Sequence, residues 1–343
     1  MKTHSILVTG GSGFIGTNLI NYFLQFKNLK IYNLDCIKYS SVPEKIKKIK
    51  NKNYLNIKVN ISDFKKLSTI VKKIKPNYIF HLAANSHVDR SIENPLEFIN
   101  ENILSTTSLY SVLLKINNQK KSCLKKIIYL STDEVYGSVK IPSDESKKLN
   151  PNSPYSASKA SVDLISRSFV KTFGLPIVIA RACNNFGPYQ FSEKYIPNII
   201  SKFIKNEKID IYGNGKNIRE WIYVEHTCKA LNFLMHKGKK GEIYNIGSNK
   251  RISNFKLFKI LEEIFYKFKK IKKNNYQFVK DRPGHDLTYL LNSNKIKKQG
   301  FKNSLNFKSE IKKTVLWYIN NGDWLDHCEK KYQGQRIGLI QKN

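Results

Sequence analysis

Short apolar runs alternate with helix-length amphipathic stretches, a glycine-rich turn follows the first run at once, and the texture changes after Phe186. Together these predict an α/β protein: a doubly wound parallel sheet of Rossmann type, followed by a smaller α/β C-terminal lobe for substrate. With 343 residues, 41% of them apolar, the chain can bury the core of one or two lobes. Strands are expected near Ile6–Thr9, Lys30–Leu34, Leu55–Val59, Tyr78–Leu82, Ile127–Ser131 and Ile177–Ala182. Helices are expected between them, at Ile15–Gln25, Phe64–Ile74, Phe98–Lys115 and Ser156–Phe173. Parallel neighbours require such crossovers. Beyond Phe186, short loops rich in Gly, Pro, Asn and Tyr alternate with single helices. The expected division is a first unit over 1–186, with 215–247 partly returning to it through a strand at Glu242–Ile246, a substrate lobe over 187–330, and a tail over 331–343.

The formal net charge is +34. A field of that size can signal nucleic acid or an acidic membrane surface. Here the lysines are dispersed, as in Lys45-Ile46-Lys47-Lys48 and Lys269-Lys270-Ile271-Lys272-Lys273, and arginines, whose planar forks read phosphate, are few. Neither a nucleic-acid nor a membrane partner is expected, and the charge serves to draw an anionic substrate inward. No apolar stretch is long enough to cross a bilayer, and no basic leader with an apolar h-region precedes the first strand. Cys36, Cys123, Cys183, Cys228 and Cys328 show no paired spacing, which argues for a reducing, cytoplasmic setting and against structural zinc or a disulfide framework.

The first chemical signal is Gly10-Gly11-Ser12-Gly13-Phe14-Ile15-Gly16, between a strand and a helix. Small residues there let the backbone approach a pyrophosphate, which then sits on a helix N-terminus. Asp35 closes the second strand, where a ribose-binding acid belongs. Its carboxylate accepts from ribose hydroxyls and repels a 2′-phosphate, which favours NAD over NADP. In His81-Leu82-Ala83-Ala84-Asn85-Ser86-His87 the alanines permit close approach of a cofactor, and Ser86 suits a phosphate or sugar. His81 and His87 lack a third ligand at metal spacing and read as structural; no metal is expected.

Two further stretches carry acid–base potential. In Tyr155-Ser156-Ala157-Ser158-Lys159 the i, i+4 spacing puts a phenol and an ammonium on one helix face, where the cation lowers the phenol's pKa. In Lys125–Gly137 a buried-strand pattern ends on Thr132-Asp133-Glu134. Alone, the two carboxylates could as well be a polar turn. Adjacent residues on a straight strand face opposite sides, so a shared role requires a bend directly after Thr132.

The set GGSGFIG, AANSHVDRS, LSTDEVYG, YSASK, NNFGPYQFSEKYIP, REWIYVE, YNIG and DRPGHD resembles the extended short-chain dehydrogenase/reductase superfamily, and within it the dTDP-glucose 4,6-dehydratases, from about Ile6 to about Trp324. The Thr-Asp-Glu triplet is its most specific part, since related 4-epimerases share the YxxxK pair without those acids. The resemblance implies that Tyr155, aided by Lys159, takes the 4-hydroxyl proton while NAD accepts hydride. It also implies that Thr132 bonds the same oxygen, that Glu134 removes the C5 proton, and that Asp133 protonates the departing 6-hydroxyl. It puts Gly10, Gly13, Phe14, Ile15, Gly16, Asp35, Asn60, Ile61, Leu82, Ala83 and Ala84, with Tyr155 and Lys159, along the cofactor. It puts Ser86, Thr132, Asn184, Glu193, Lys194, Ile211, Tyr212, Arg219, Asn245, Arg282 and His285 at the nucleotide sugar.

Three positions depart from the family pattern: Asn60 for an aspartate at the adenine, Asn85 for a glutamate, and Glu101 for a threonine. The resemblance also implies a homodimer, with Phe98–Lys115 and Ser156–Phe173 paired in a four-helix bundle. Leu109, Val112, Leu113, Leu164, Ile165 and Phe169 suit that burial or burial within the monomer. The expected activity is dTDP-glucose 4,6-dehydration. A UDP- or CDP-glucose dehydratase, a 4-epimerase, and a non-catalytic RNA- or protein-binding relative are the alternatives.

Overall fold

The computed structural model describes residues 3–117, 123–335 and 337–338. In chain order its strands are β1 (His4–Thr9), β2 (Leu29–Asp35), β3 (Tyr54–Lys58), β4 (Tyr78–His81), β5 (Lys126–Thr132), β6 (Ile177–Ala182), β7 (Asn184–Phe186), β8 (Ile209–Tyr212), β9 (Ile218–Tyr223), β10 (Ile243–Ile246), β11 (Arg251–Ser253) and β12 (Tyr276–Val279). Its helices are α1 (Phe14–Phe23), α2 (Glu44–Lys47), α3 (Phe64–Ile74), α4 (Val88–Glu93), α5 (Pro95–Phe98), α6 (Ser105–Asn117), α7 (Pro154–Phe173), α8 (Tyr195–Lys205), α9 (Val224–Lys237), α10 (Asn254–Tyr266), α11 (Asn294–Lys298), α12 (Phe307–Asn320) and α13 (Gly322–Glu329).

Seven strands form one sheet in the order β3-β2-β1-β4-β5-β6-β10, every neighbouring pair parallel. Alternation along β1 shows why both faces are covered. Ile6 and Val8 join Leu19, Ile20 and Phe23 of α1 in one cluster, while Leu7 joins Leu67 and Val71 of α3 and Leu113 of α6 on the other side. Strand order reverses between β1 and β4, so their carboxyl ends open a crevice there. Thr9 lies level with His81, which brings Gly10 and Leu82 out together at the floor of that crevice.

The second lobe holds the β7-β9-β11 sheet, the β8-β12 pair and α8, α10, α12 and α13 around Phe186, Phe203, Phe258, Phe265, Tyr318 and Trp324. The chain crosses between the lobes more than once. β9 lies in the small sheet, α9 packs on α1, and β10 closes the large sheet beside β6. A π-helical turn, Ile99–Leu104, joins α5 to α6.

Leu109, Val112 and Leu113 are wholly buried within the monomer, against the core that α3 shares, so they are not free to cover a partner. Leu164 of α7 instead is 54% exposed. Among the described residues no helix is long and apolar enough to cross a membrane.

Candidate active site

The crevice is a continuous trough of three chambers. The first, about 110 Å³, is lined by Gly10, Gly13, Asp35, Asn60, Ile61, Leu82, Ala83 and Ala84, among others. It shares Gly10, Gly13, Leu82 and Ala84 with a second chamber of about 260 Å³ that also touches Phe14, Ile15, Gly16, Thr132, Asp133, Glu134, Tyr155 and Lys159. Through Ser86, Glu134, Asn184, Glu193 and Lys194 the second opens into a third, of about 200 Å³, that reaches Tyr212, Arg219, Arg282 and His285.

The sequence builds the first chamber by close backbone approach. Gly10 sits at φ +71°, and a Cβ on it would lie 2.6 Å from the Ala83 nitrogen, so only glycine lets the two loops meet. Asp35 at the end of β2 receives the Ser12 amide at 2.9 Å and the Ile37 amide at 2.8 Å. The loop is thus pinned with the carboxylate at the chamber wall. Lys47 closes it from behind, its ammonium donating to the Gly11 carbonyl and Ser12 hydroxyl. A glycine floor, a helix N-terminus at Phe14 and an acid on the neighbouring strand fit a dinucleotide.

At the end of β5 the backbone leaves the extended conformation after Thr132 and enters a single 3₁₀ turn, Asp133–Tyr136. The Thr132 hydroxyl oxygen accepts the Glu134 amide at 3.3 Å, capping the turn. Gly137 ends it at φ +67°, where a Cβ would strike the Asn150 oxygen at 2.1 Å. This bend turns both acids into one chamber. Behind it, the buried Asp163–Arg181 pair (2.7 Å) leads through the Arg181–Tyr136 bond (2.7 Å) to Asn245. On α7, a Ser153 capping box and Pro154 fix the helix start that carries Tyr155 and Lys159. Asn102, in the π turn, ties Asn85 to Ser158 of α7.

The electrostatics separate the two acids. Burial, then the carboxylates of Glu134 and Glu220, push Asp133 well above the usual carboxylate range, which favours its protonated form. Its Oδ1 accepts from the Thr132 hydroxyl at 3.2 Å, while the buried Oδ2 has no partner among the described residues. Burial also raises Glu134, but Arg282, Arg219 and Lys194 oppose that and favour its ionised form.

Tyr155 differs from the sequence expectation. Burial and the nearby acids push its phenol up rather than down, with a Thr132 hydrogen bond opposing them. The Lys159 ammonium is directed at the Leu130 carbonyl, 2.7 Å away, and stands 4.4 Å from the Tyr129 ring. Burial lowers Lys159 to about 8. His81 is locked between the hydroxyls of Thr9 and Thr106 and lowered to about 3 by burial, and His87 caps α4. Among the described residues no three potential ligands cluster for a metal.

In the third chamber Arg219 is held by the carbonyls of Ile218, Asp286 and Leu287 over the Tyr289 ring, at 4.3 Å. Arg282 pairs with Asp89, and its buried Nε has no partner among the described residues. Asn184 Oδ1 is likewise buried without a partner among those residues. Glu193 is already engaged by Arg90 at 2.8 Å and by the Tyr39 hydroxyl at 2.8 Å, and Lys194 holds the Ser86 carbonyl. His285 is bonded to Asp281 and held down to about 4, chiefly by burial.

Two expected substrate residues stand elsewhere. Ile211 is fully buried in the second core, because it alternates with Tyr212 on β8, and only Tyr212 faces the chamber. Asn245 lies in β10, wholly buried, with its amide engaged by Tyr136, Ser143 and Asn292. It braces the 3₁₀ turn from behind and lines none of the three chambers. Sequence reasoning missed Tyr39, Gln190 and Phe191 in the second chamber and Asp89, Lys202, Asp210 and Tyr332 in the third. Asp89 lay within a recognised stretch, but its partner Arg282 is 193 positions away.

Fold and site together define an NAD-type dinucleotide-binding enzyme fold with a second, cation-lined chamber, as in the extended short-chain dehydrogenase/reductases. Residues 7–314 match the family described as GDP-mannose 4,6 dehydratase. A dTDP-glucose 4,6-dehydratase from Escherichia coli is 37% identical, with 98% of this chain and 99% of that protein aligned. A probable dTDP-glucose 4,6-dehydratase from Sinorhizobium fredii is 36% identical over the same shares. The crystal structure of DesIV, a dTDP-glucose 4,6-dehydratase from Streptomyces venezuelae with NAD bound, superposes with a TM-score of 0.87 at 33% identity, covering 93% of this chain and 98% of that one. The chain belongs to this nucleotide-sugar 4,6-dehydratase family.

Proposed function

We propose that the protein converts dTDP-glucose to dTDP-4-keto-6-deoxyglucose, using NAD held in the first two chambers. The observation that carries the reading is the 3₁₀ turn that presents a deeply buried Asp133 and a cation-flanked Glu134 to one chamber beside Tyr155. An epimerase needs no such pair. When bound, NAD would supply a reversible hydride acceptor, for the hydrogen that leaves C4 and returns at C6. Gly10, Gly13, Phe14, Ile15 and Gly16 would hold its pyrophosphate, Asp35 its ribose, and Asn60 and Ile61 its adenine end.

The chain's own residues move the protons. Tyr155, ionised with the help of Lys159 and of the positive charge that the oxidised cofactor would bring against the burial that raises it, takes the proton of the 4-hydroxyl, and Thr132 bonds that oxygen. The 4-ketone acidifies C5, and Glu134 takes that proton. Asp133 gives its proton to the 6-hydroxyl, which leaves as water. Both carboxyls are raised by burial, but three cations oppose the rise at Glu134 and two carboxylates add to it at Asp133, which suits this division. C5 is reprotonated when C6 receives hydride, so no net redox change remains. Arg219 and Arg282 hold the diphosphate, with Lys194, Ser86, Asn184 and Glu193 near the sugar and His285 on the closing loop. The setting is the cytosol.

The test is incubation with dTDP-, UDP- and CDP-glucose without added reductant. The expected result is loss of one water from dTDP-glucose by mass spectrometry, with alkaline absorbance of the keto sugar. Conversion of none of the three defeats the proposal.

The same reading includes a homodimer. Leu96 (70% exposed), Ile99 (43%), Leu104 (55%) and Leu164 (54%) are large apolar side chains left in solvent on the π-turn region and α7. A second copy is the natural cover. Leu164→Glu is expected to elute as a monomer in size-exclusion chromatography where the parent elutes as a dimer; a monomeric parent contradicts this.

A further inference from the structure

After α13, residues 330–335 reach the third chamber and residues 337–338 lie against α4. Lys331 and Tyr332 donate their amides to the Cys328 carbonyl at 3.0 and 2.8 Å, and Lys205 pairs with Glu329 at 2.9 Å, so the segment leaves from a fixed point. Tyr332 packs on the second core while also lining the chamber, together with Gly334. At its far end the Gly338 amide donates to Glu93 of α4 at 2.9 Å. Gly338 adopts φ +74° and lies so close to Asp89 that a Cβ would stand 2.8 Å from the Asp89 Cα, which only glycine tolerates. The Asp89 carboxylate beneath it pairs with Arg282.

A nucleotide sugar is linear: hexose, two phosphates, ribose, base. The hexose end is set by Glu134 and Tyr155, and the phosphates by Arg219 and Arg282. The base then falls at the remaining end, beyond the arginines, among Tyr212, Asp210 and Tyr332. After burial, the groups that act most strongly on the Tyr332 phenol are Tyr212, Glu193, Asp89 and Arg90. Its hydroxyl donates to the Gln335 carbonyl at 2.9 Å, within the segment itself. What Tyr332 offers a ligand is therefore its ring face.

Resting on the dehydratase reading, we infer that residues 330–335, with 337–338, are a strap completing the nucleotide site, and that Tyr332 stacks on the base. Stacking is tolerant of base identity, because every base has a π-face. The strap therefore adds affinity without separating thymine from uracil. Gly338 sets the strap's height by fixing its end on α4.

The test is calorimetric titration of the full-length protein, carrying its cofactor, with dTDP and with UDP. Tyr332→Ala and Tyr332→Leu are expected to weaken both by about 5- to 100-fold and by the same factor. Tyr332→Phe, which keeps the ring, is expected to restore binding. Gly338→Val is expected to weaken binding in the same direction. In turnover, KM for dTDP-glucose should rise far more than kcat falls. Tyr332→Leu keeps an apolar plug in the second core and serves if the alanine variant unfolds. Unchanged dTDP binding in Tyr332→Leu overturns the inference, as does a Tyr332→Phe variant as weak as Tyr332→Ala. Weakened dTDP binding in a protein that dehydrates no nucleotide sugar would keep the strap and sink the dehydratase reading. Active dehydration with unchanged binding would do the reverse.

Discussion

Replacing Asp133 with asparagine separates the acid's chemical role from its structural one. Asp133 is 3% exposed, and its burial favours the neutral carboxyl. Asp133→Asn keeps shape and an oxygen for the Thr132 bond but cannot release a proton to the departing hydroxyl. General acid catalysis contributes roughly 10²–10⁴-fold, about 3–5 kcal/mol of barrier, so kcat for dehydration is expected to fall by that factor. Stability moves the other way. A folded-state pKa above the unfolded value of about 3.9 means that the folded protein binds more protons than the unfolded chain once pH exceeds that value. The wild type therefore loses about 1.4 kcal/mol per pH unit from there up to the raised folded pKa, and the variant does not. The midpoint of thermal unfolding of Asp133→Asn should exceed that of the wild type at pH 7, with a smaller gap at pH 5. C4 oxidation does not use Asp133, so reduced cofactor should build up on mixing with dTDP-glucose, visible in the near-ultraviolet. Full dehydratase activity in the variant, or loss of C4 oxidation together with dehydration, would refute the assignment.

Glu134→Gln should slow C5 proton removal by roughly 10²–10⁴-fold while C4 oxidation persists, read as absence of solvent-deuterium exchange at C5. The Lys159 ammonium, lowered to about 8 by burial, loses its charge as pH rises through that value, so kcat/KM should decline on the alkaline side from about pH 8. Arg181→Met strands the Asp163 carboxylate, wholly buried, and should destabilise the fold by about 3–5 kcal/mol in denaturant titration, with kcat falling as the Tyr136 turn loosens.

Local sequence made the sheet and the first chamber legible, because strand pattern, glycine spacing and the terminal acid of β2 are all short-range signals. Thr132-Asp133-Glu134 was legible for the same reason: two acids at the end of a buried run can share one chamber only through a turn, and the 3₁₀ turn is there. What was hidden depends on contacts distant in sequence. Ile211 and Tyr212 are neighbours in the chain but point to opposite faces of β8, and which face meets the chamber is set by the β12 pairing. Asn245 sits in a recognisable motif, yet Tyr136, from 109 positions away, engages it. The Tyr155 phenol was expected to fall because Lys159 lies one helical turn on. Burial dominates instead, and the ammonium finds the Leu130 carbonyl first. The strap carries almost no sequence pattern of its own, and its role follows from where Gly338 docks.

The central claim is that one site oxidises C4, removes water across C5 and C6, and returns the same hydrogen to C6. Conversion of dTDP-glucose deuterated at C4, without added reductant, tests it most directly. The label should appear at C6 of the keto sugar, with one solvent hydrogen at C5. A product that keeps the label at C4 identifies an epimerase, and an unlabelled C6 breaks the link between the two hydride steps; either result contradicts the account.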